Sequence, residues 1–227
     1  MADSDATVEL TADGSRTAFS ARYGEHYHNR NGAATQARHV FLEGSQTHTH
    51  PAPRVLEIGF GLGLNFLTSL ADAHERGVPL EYRAIELAPQ PRELLAQIAV
   101  DHPGSSLPLW RALLTVWPHG ADELEVAGRH LAVDIGDATV LALPQGWASA
   151  IYLDGFSPAV NPELWSEAFV ARLAEALAPG GWIVTYSAAG DVRRAFEAAG
   201  LAVERRSNVA GKREYLAAQR PGAAGVP

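Results

Sequence analysis

The stretch Val55-Leu56-Glu57-Ile58-Gly59-Phe60-Gly61-Leu62-Gly63-Leu64-Asn65-Phe66-Leu67 decides the architecture. Val55 to Ile58 is a short apolar run that reads as a buried strand. Gly59, Gly61 and Gly63, at alternate positions, read as a tight turn. Leu64, Leu67 and Leu70, with Ala71 behind them, continue at helical spacing. A strand, a glycine turn and a helix in this order make a junction suited to a nucleotide-like ligand. The glycines admit the backbone close to the ligand, and the helix start offers free N–H groups.

Downstream, the same alternation repeats. The first helix runs over 64–76 and stops at Gly77-Val78-Pro79. A strand over 80–86 ends on Glu86. Pro89 and Pro91 stand where a helix over 92–100 begins, as proline suits a first turn. Leu109, Trp110, Leu113, Leu114 and Trp117 show helical spacing within 107–120, an inserted helix under the sheet edge or near the site. A strand or hairpin over 124–135 breaks at Gly128, and Val140 to Leu143 reads as a short helix. The run 150–153 is a buried strand ending on Asp154. A helix over 161–178 follows, halted by Pro179-Gly180-Gly181. Then come a strand over 182–186, a helix capped by Asp191 and running to Ala199, and closing strands over 201–206 and 214–218. Such alternation predicts an α/β fold, a mostly parallel sheet with helices on both faces. The closing strands are too near each other for a crossover, so they pair as an antiparallel C-terminal hairpin.

This domain spans 54–220, between an N-terminal extension over 1–53 and a disordered tail over 221–227. Residues 1–18 read as a frayed or strand-forming lead-in. Tyr23, His26, Tyr27, His28, Asn29, Arg30 and Asn31 then crowd together. This segment either covers a ligand site as a lid or packs on the sheet with its aromatics as partial core. A short helix is expected over 35–42 and a polar linker over 45–53. His48 and His50 lie in that linker without a third ligand nearby, which fits a solvated loop; no metal is expected.

The chain has 227 residues, 47% hydrophobic and 19% charged, enough to bury one core. No apolar run reaches the roughly 18 residues of a membrane span, and the acidic start lacks the features of a secretory signal. There are no cysteines, which excludes disulfide scaffolds, iron–sulfur clusters and thiolate zinc sites. A cytoplasmic monomer is the expectation. The net charge of −8 argues mildly against nucleic acid as a partner, because phosphate contacts need local positive charge. A late basic cluster, Arg193, Arg194, Arg205, Arg206, Lys212 and Arg213, is either a solvated face or that local charge.

A dinucleotide fingerprint puts its third glycine where Leu64 stands. Glu57-x-Gly59-x-Gly61-x-Gly63 instead resembles the first motif of class I S-adenosylmethionine-dependent methyltransferases, which have a Rossmann-like fold. That resemblance implies that Glu57, Gly59, Gly61, Gly63 and Asn65 form the cofactor turn. It implies that Glu86 binds the two ribose hydroxyls, for which a carboxylate supplies paired acceptors. It also assigns Asp137 and Ala138 to the adenine side and expects Tyr23 and Asp154 at the cofactor.

Asp154 ends the strand that faces the reactive methyl in this fold. A carboxylate followed by Gly155 and Phe156 suits an amine acceptor, because a protonated amine has no lone pair and must lose a proton before transfer. Phe156 can stack on a base or sugar. Leu153-Asp154-Gly155-Phe156-Ser157-Pro158-Ala159-x-Asn161-Pro162-x-x-Trp165 is similar to the signature of the MnmC methyltransferase domain. So are Arg38-His39-Val40-Phe41-Leu42-Glu43-Gly44, Val192-Arg193-Arg194 and Gly211-Lys212-Arg213-Glu214. The resemblance implies methylation of the aminomethyl nitrogen of 5-aminomethyl(-2-thio)uridine at the tRNA wobble position. Asp154 is then the catalytic base, and Phe156, Arg193, Arg194, Lys212 and Arg213 face substrate or tRNA. It is the stand-alone form that the chain resembles, without FAD, and a separate oxidoreductase is then expected to supply the precursor. Rival readings are a methyltransferase or aminopropyltransferase-like enzyme acting on a small amine, a nucleotide-sugar or NAD oxidoreductase, and a non-catalytic RNA-binding module.

Overall fold

The computed structural model describes residues 6–119, 121, 123–207 and 214–222. An eight-stranded sheet has the order β10-β11-β9-β8-β4-β5-β7-β6. At its centre β4 (Arg54–Ile58) runs parallel to β5 (Leu80–Glu86) on one side and β8 (Ala148–Leu153) on the other. Beyond them, β7 (Arg129–Ile135) is parallel to β5, and β9 (Leu177–Thr185) to β8. The edges are antiparallel. On one side β6 (Leu124–Val126) hairpins onto β7; on the other β10 (Ala202–Ser207) pairs with β11 (Glu214–Gln219), which lies on β9. The chain first builds outward from β4 through β5 and β7, then returns to build through β8 and β9. Strand order therefore reverses beside β4, where open α/β sheets bind ligands at the carboxyl strand ends.

Both sheet faces are covered, which is why the inner strands are apolar throughout. On one face Val55, Tyr82, Tyr152 and Val184 pack with α2 (Leu64–Arg76), α3 (Arg92–Ala99) and α4 (Pro108–Val116). On the other, Leu56, Ile58, Ile151 and Ile183 pack with α5 (Glu167–Ala176) and α6 (Gly190–Ala198). The strand period of two sends Glu57 to the first face, into apolar surroundings.

Of the two readings of the N-terminal lead-in, the described residues bear out the strand-forming one. β1 (Thr7–Leu10), β2 (Arg16–Ser20) and β3 (Glu25–His26) form a separate antiparallel sheet. Helix α1 (Ala33–Gln36) then widens into a π-helical turn, Ala37–Glu43, burying Val40, Phe41 and Leu42 consecutively.

Four expectations are corrected. Val140 to Leu143 is not a helix, because Arg172 donates to the carbonyls of Thr139 and Leu141. The helix expected over 161–178 is split: a 3-10 turn, Pro162–Trp165, precedes α5, whose start is capped by the Ser166 hydroxyl accepting from Phe169 N–H. The helix ends at Ala176 and the strand expected over 182–186 begins at Leu177, so Pro179-Gly180-Gly181 lies inside β9 rather than between helix and strand. Asp191 sits within the first turn of α6 and pairs with Arg194, and Ala189 holds the cap position.

Gly63 caps α2 with φ +75°, and a Cβ there would lie 3.0 Å from both Phe60 and Trp110. Gly63→Ala is expected to lower stability by about 1–3 kcal/mol, the cost of a left-handed non-glycine residue. Urea denaturation, read as a fall in midpoint without a change in slope, checks this.

Candidate active site

A cavity of about 820 Å³ opens over the carboxyl ends of β4, β5, β7 and β8, bordered by Gly59, Gly61, Glu86, Asp137, Ala138, Asp154 and Phe156. Each strand end is joined to its neighbour by one further backbone bond. Gly59 N–H donates to Ile85 O (3.0 Å), Asp154 N–H to Ile58 O (3.0 Å) and Gly136 N–H to Glu86 O (2.9 Å). The sheet thus holds the loop starts in register.

The first turn is shaped by glycine for two different reasons. Gly59 has φ +91°, and a Cβ there would stand 2.8 Å from the backbone oxygen of Asp154. It lets the β4 and β8 exits touch. At Gly61 (φ +54°) a Cβ would lie 3.3 Å from the Tyr27 ring, against the cavity. Gly63 does not line the cavity; its role is to cap α2 over Trp110.

Glu86 is buried, and its carboxylate fastens this turn. One oxygen accepts from Gly61 N–H and the other from Ala88 N–H, both at 2.7 Å. Burial pushes its pKa up, while these backbone donors pull it down. A carboxylate has about four lone-pair sites, so each oxygen can still accept a ligand hydroxyl. Asp137 Oδ1 accepts from the N–H and hydroxyl of Thr139, holding the loop after β7.

Asp154 is half-buried on the cavity wall. Burial pushes its pKa up to about 7, and a bond from Asn65 opposes the rise. Asn65 Nδ2 donates to Asp154 Oδ2 at 2.7 Å and to Glu57 Oε1 at 2.9 Å. Glu57 Oε2 accepts from the Tyr82 hydroxyl at 2.9 Å. Glu57 and Asn65 do not border the cavity but lie beneath it.

The N-terminal segment roofs the cavity. Tyr23 stacks on Phe156 with ring centroids 4.1 Å apart, and Tyr27 meets the same ring edge-on at 5.1 Å. Glu25 accepts from the backbone N–H and the hydroxyl of Ser157. His28, 7% exposed, also lines the cavity, and burial holds its pKa down to about 4, so its ring is neutral. These aromatics form a wall of the cavity, and Tyr27 also packs against a small cluster of Ala18, Leu62, Leu94 and Ile98. Sequence reasoning missed Glu25 and Ser157. Their only signal was the density of polar groups around Tyr23, because a contact spanning 132 residues leaves no local pattern.

Arg193 and Arg194 do not line the cavity. They pair along α6 with Glu197 and Asp191. Lys212, Arg213 and the tail beyond 222 lie outside the described residues, whereas Glu214, the first residue after them, borders the cavity. A second cavity of about 360 Å³, between the N-terminal segment and α2, touches none of the expected site residues. Among the described residues no group of three His, Asp or Glu could hold a metal ion, and no helix is long and apolar enough to cross a membrane.

Comparison with known proteins agrees with this geometry. A family model described as S-adenosyl-L-methionine-dependent methyltransferase matches residues 107–221. The chain is 40% identical over 226 residues to the tRNA 5-methylaminomethyl-2-thiouridine biosynthesis bifunctional protein MnmC of Aromatoleum aromaticum, covering 92% of this chain and 34% of that protein. It is 34% identical over 227 residues to the MnmC of Aeromonas hydrophila, covering 90% and 34%. The chain thus spans about a third of the length of these curated relatives. The solved structure of MnmC2 from Aquifex aeolicus superposes with a TM-score of 0.75 at 28% identity, covering 97% of this chain and 73% of that one. With half its length matched by the family model, and with the glycine turn and strand-end acids gathered round one cavity, the chain belongs to this family of S-adenosyl-L-methionine-dependent methyltransferases.

Proposed function

We propose that the protein methylates the aminomethyl nitrogen of 5-aminomethyl(-2-thio)uridine at the tRNA wobble position, giving the methylaminomethyl form. The observation that carries the reading is Asp154: a carboxylate on the cavity wall, in backbone contact with the glycine turn. The likeness to MnmC proteins supports the choice of acceptor.

The residues present fit the cofactor. Gly59 and Gly61 leave room for it, Glu86 offers paired acceptors to a ribose, and Asp137 and Ala138 flank the adenine side. When bound, S-adenosylmethionine supplies an electrophilic methyl group on a sulfonium sulfur. Asp154 accepts a proton from the ammonium of the acceptor, freeing the nitrogen lone pair for in-line attack on that methyl. Phe156 offers a stacking surface to the uracil, which reaches it as Tyr23 moves aside. Residues 1–53 act as a lid that excludes water. Lys212 and Arg213, which precede Glu214 in the sequence, supply contacts to tRNA phosphates. A separate oxidoreductase activity, removing carboxymethyl from the precursor, provides the aminomethyl acceptor.

A small free amine is the second reading, favoured by the net charge of −8 and by the roofed cavity. Incubation with S-adenosylmethionine and either tRNA bearing aminomethyluridine or spermidine separates the two. Methylaminomethyluridine in the tRNA digest is the expected result, and methylation of spermidine alone overturns the proposal.

Asp154→Ala is expected to keep cofactor binding by calorimetry while transfer falls about 10²–10⁴-fold, the usual contribution of a positioned base. In the native protein kcat/KM should rise with pH through about 7, as Asp154 loses its proton. The same titration acts on stability. Because the folded-state pKa is raised, the cofactor-free protein binds more protons folded than unfolded between about pH 4 and 7, and it loses stability as pH rises across that window. Asp154→Asn should therefore raise the melting temperature more at pH 8 than at pH 5.

A further inference from the structure

We propose that Asn65 is the positioning residue of the methyl-transfer site: it holds the Asp154 carboxylate through one amide hydrogen while its other amide hydrogen is anchored on the buried Glu57. This rests on the reading of Asp154 as the amine base, and it replaces the expectation that Asn65 and Glu57 touch the cofactor.

The amide orientation follows from chemistry. Asn65 is 2% exposed, and its side chain meets two carboxylates, Glu57 at 2.9 Å and Asp154 at 2.7 Å. The NH2 group faces both acids and gives one hydrogen to each; against the ionised carboxylates a flipped amide would set oxygen against oxygen. Both amide hydrogens are then used. The cost shows at the other end, where Asn65 Oδ1 is buried without a partner. A buried acceptor left unpaired is unfavourable, so the amide is held by its two donor bonds and not by its oxygen.

Glu57 is anchored in turn. It is 1% exposed, strand β4 fixes its backbone, and the Tyr82 hydroxyl from β5 donates to its second oxygen. Tyr82 is itself packed against Phe66 and Tyr152. The chain of bonds Tyr82–Glu57–Asn65–Asp154 therefore starts in the apolar core and ends at the cavity wall. Asn65 is the second residue of α2, so its side chain is also placed by the glycine turn that precedes the helix. The two α2-facing features of this site, turn and base, are set by one short segment. With Asp154 Oδ2 held by Asn65, Oδ1 is the oxygen presented to the acceptor nitrogen.

The test is Asn65→Ala, with Asn65→Ser as the second variant, whose hydroxyl can donate to only one of the two carboxylates. The expected result is cofactor affinity within about threefold of the native value by calorimetry, with kcat on aminomethyluridine tRNA lowered about 100-fold, the scale of a misplaced catalytic group. The pH midpoint of kcat moves upward, because the ionised form of Asp154 loses its donor. The Ser variant falls between Ala and native. A native pH midpoint and kcat in both variants overturns the inference, as does a loss of cofactor affinity as large as the loss of kcat. Asp154→Asn, run alongside, separates the two levels. If it turns over normally, the base reading itself fails. If it is inactive while Asn65→Ala behaves as native, only the positioning role fails.

Discussion

The approach of Gly59 to the backbone of Asp154 is the constraint on which the site depends. A Cβ at Gly59 would lie 2.8 Å from the Asp154 carbonyl oxygen. Without it, the exits of two parallel strands, β4 and β8, touch. Those strands belong to opposite halves of the winding order, so their contact marks the reversal in the sheet. A turn able to cradle a nucleoside and a carboxylate able to meet an amine are thereby brought together, although 95 residues of chain separate Gly59 from Asp154.

Electrostatics then distinguish the acids at this junction. Glu57, Glu86 and Asp154 are all raised by burial, but each finds different donors. Backbone N–H groups hold Glu86, which makes it a rigid acceptor for hydroxyls. Asn65 and Tyr82 each donate to one oxygen of Glu57, which is shut away from the cavity. Asp154 has Asn65 and an opening to the cavity, and its pKa near 7 lets it change protonation at neutral pH. A cationic cofactor and a cationic amine both suit such an acidic pocket, and the negative net charge of the chain follows the same sign.

The N-terminal segment forms one wall of the cavity. Its sheet β1–β3 is separate from the main one, yet Tyr23, Glu25 and Tyr27 clasp Phe156 and Ser157 in the loop after β8. Phe156 already carries the Tyr23 ring stacked on it, with centroids 4.1 Å apart.

Much of the fold was legible because its signals are local. The helix over 64–76 and the strand over 80–86 fall where apolar period and glycine breaks put them. Leu64, in place of a third dinucleotide glycine, and Asp154 before Gly155 and Phe156 pointed to a methyl donor and an amine. What escaped was decided by distant partners. Arg172 took the carbonyls that a helix over 140–143 would have used. Gly181 let β9 begin early, lying where a Cβ would stand 2.8 Å from the oxygen of Ala148. Glu57 and Asn65 sit in the motif but do not border the cavity, because strand alternation turns Glu57 inward and Asn65 bonds to it. The sequence by itself determined the order of elements, the glycine turn and the acids at the strand ends, since each rests on neighbouring residues. Only the tertiary structure decided which acid faces the cavity and which is locked beneath it, because exposure and hydrogen-bond partners are set by strands and helices far apart in the chain.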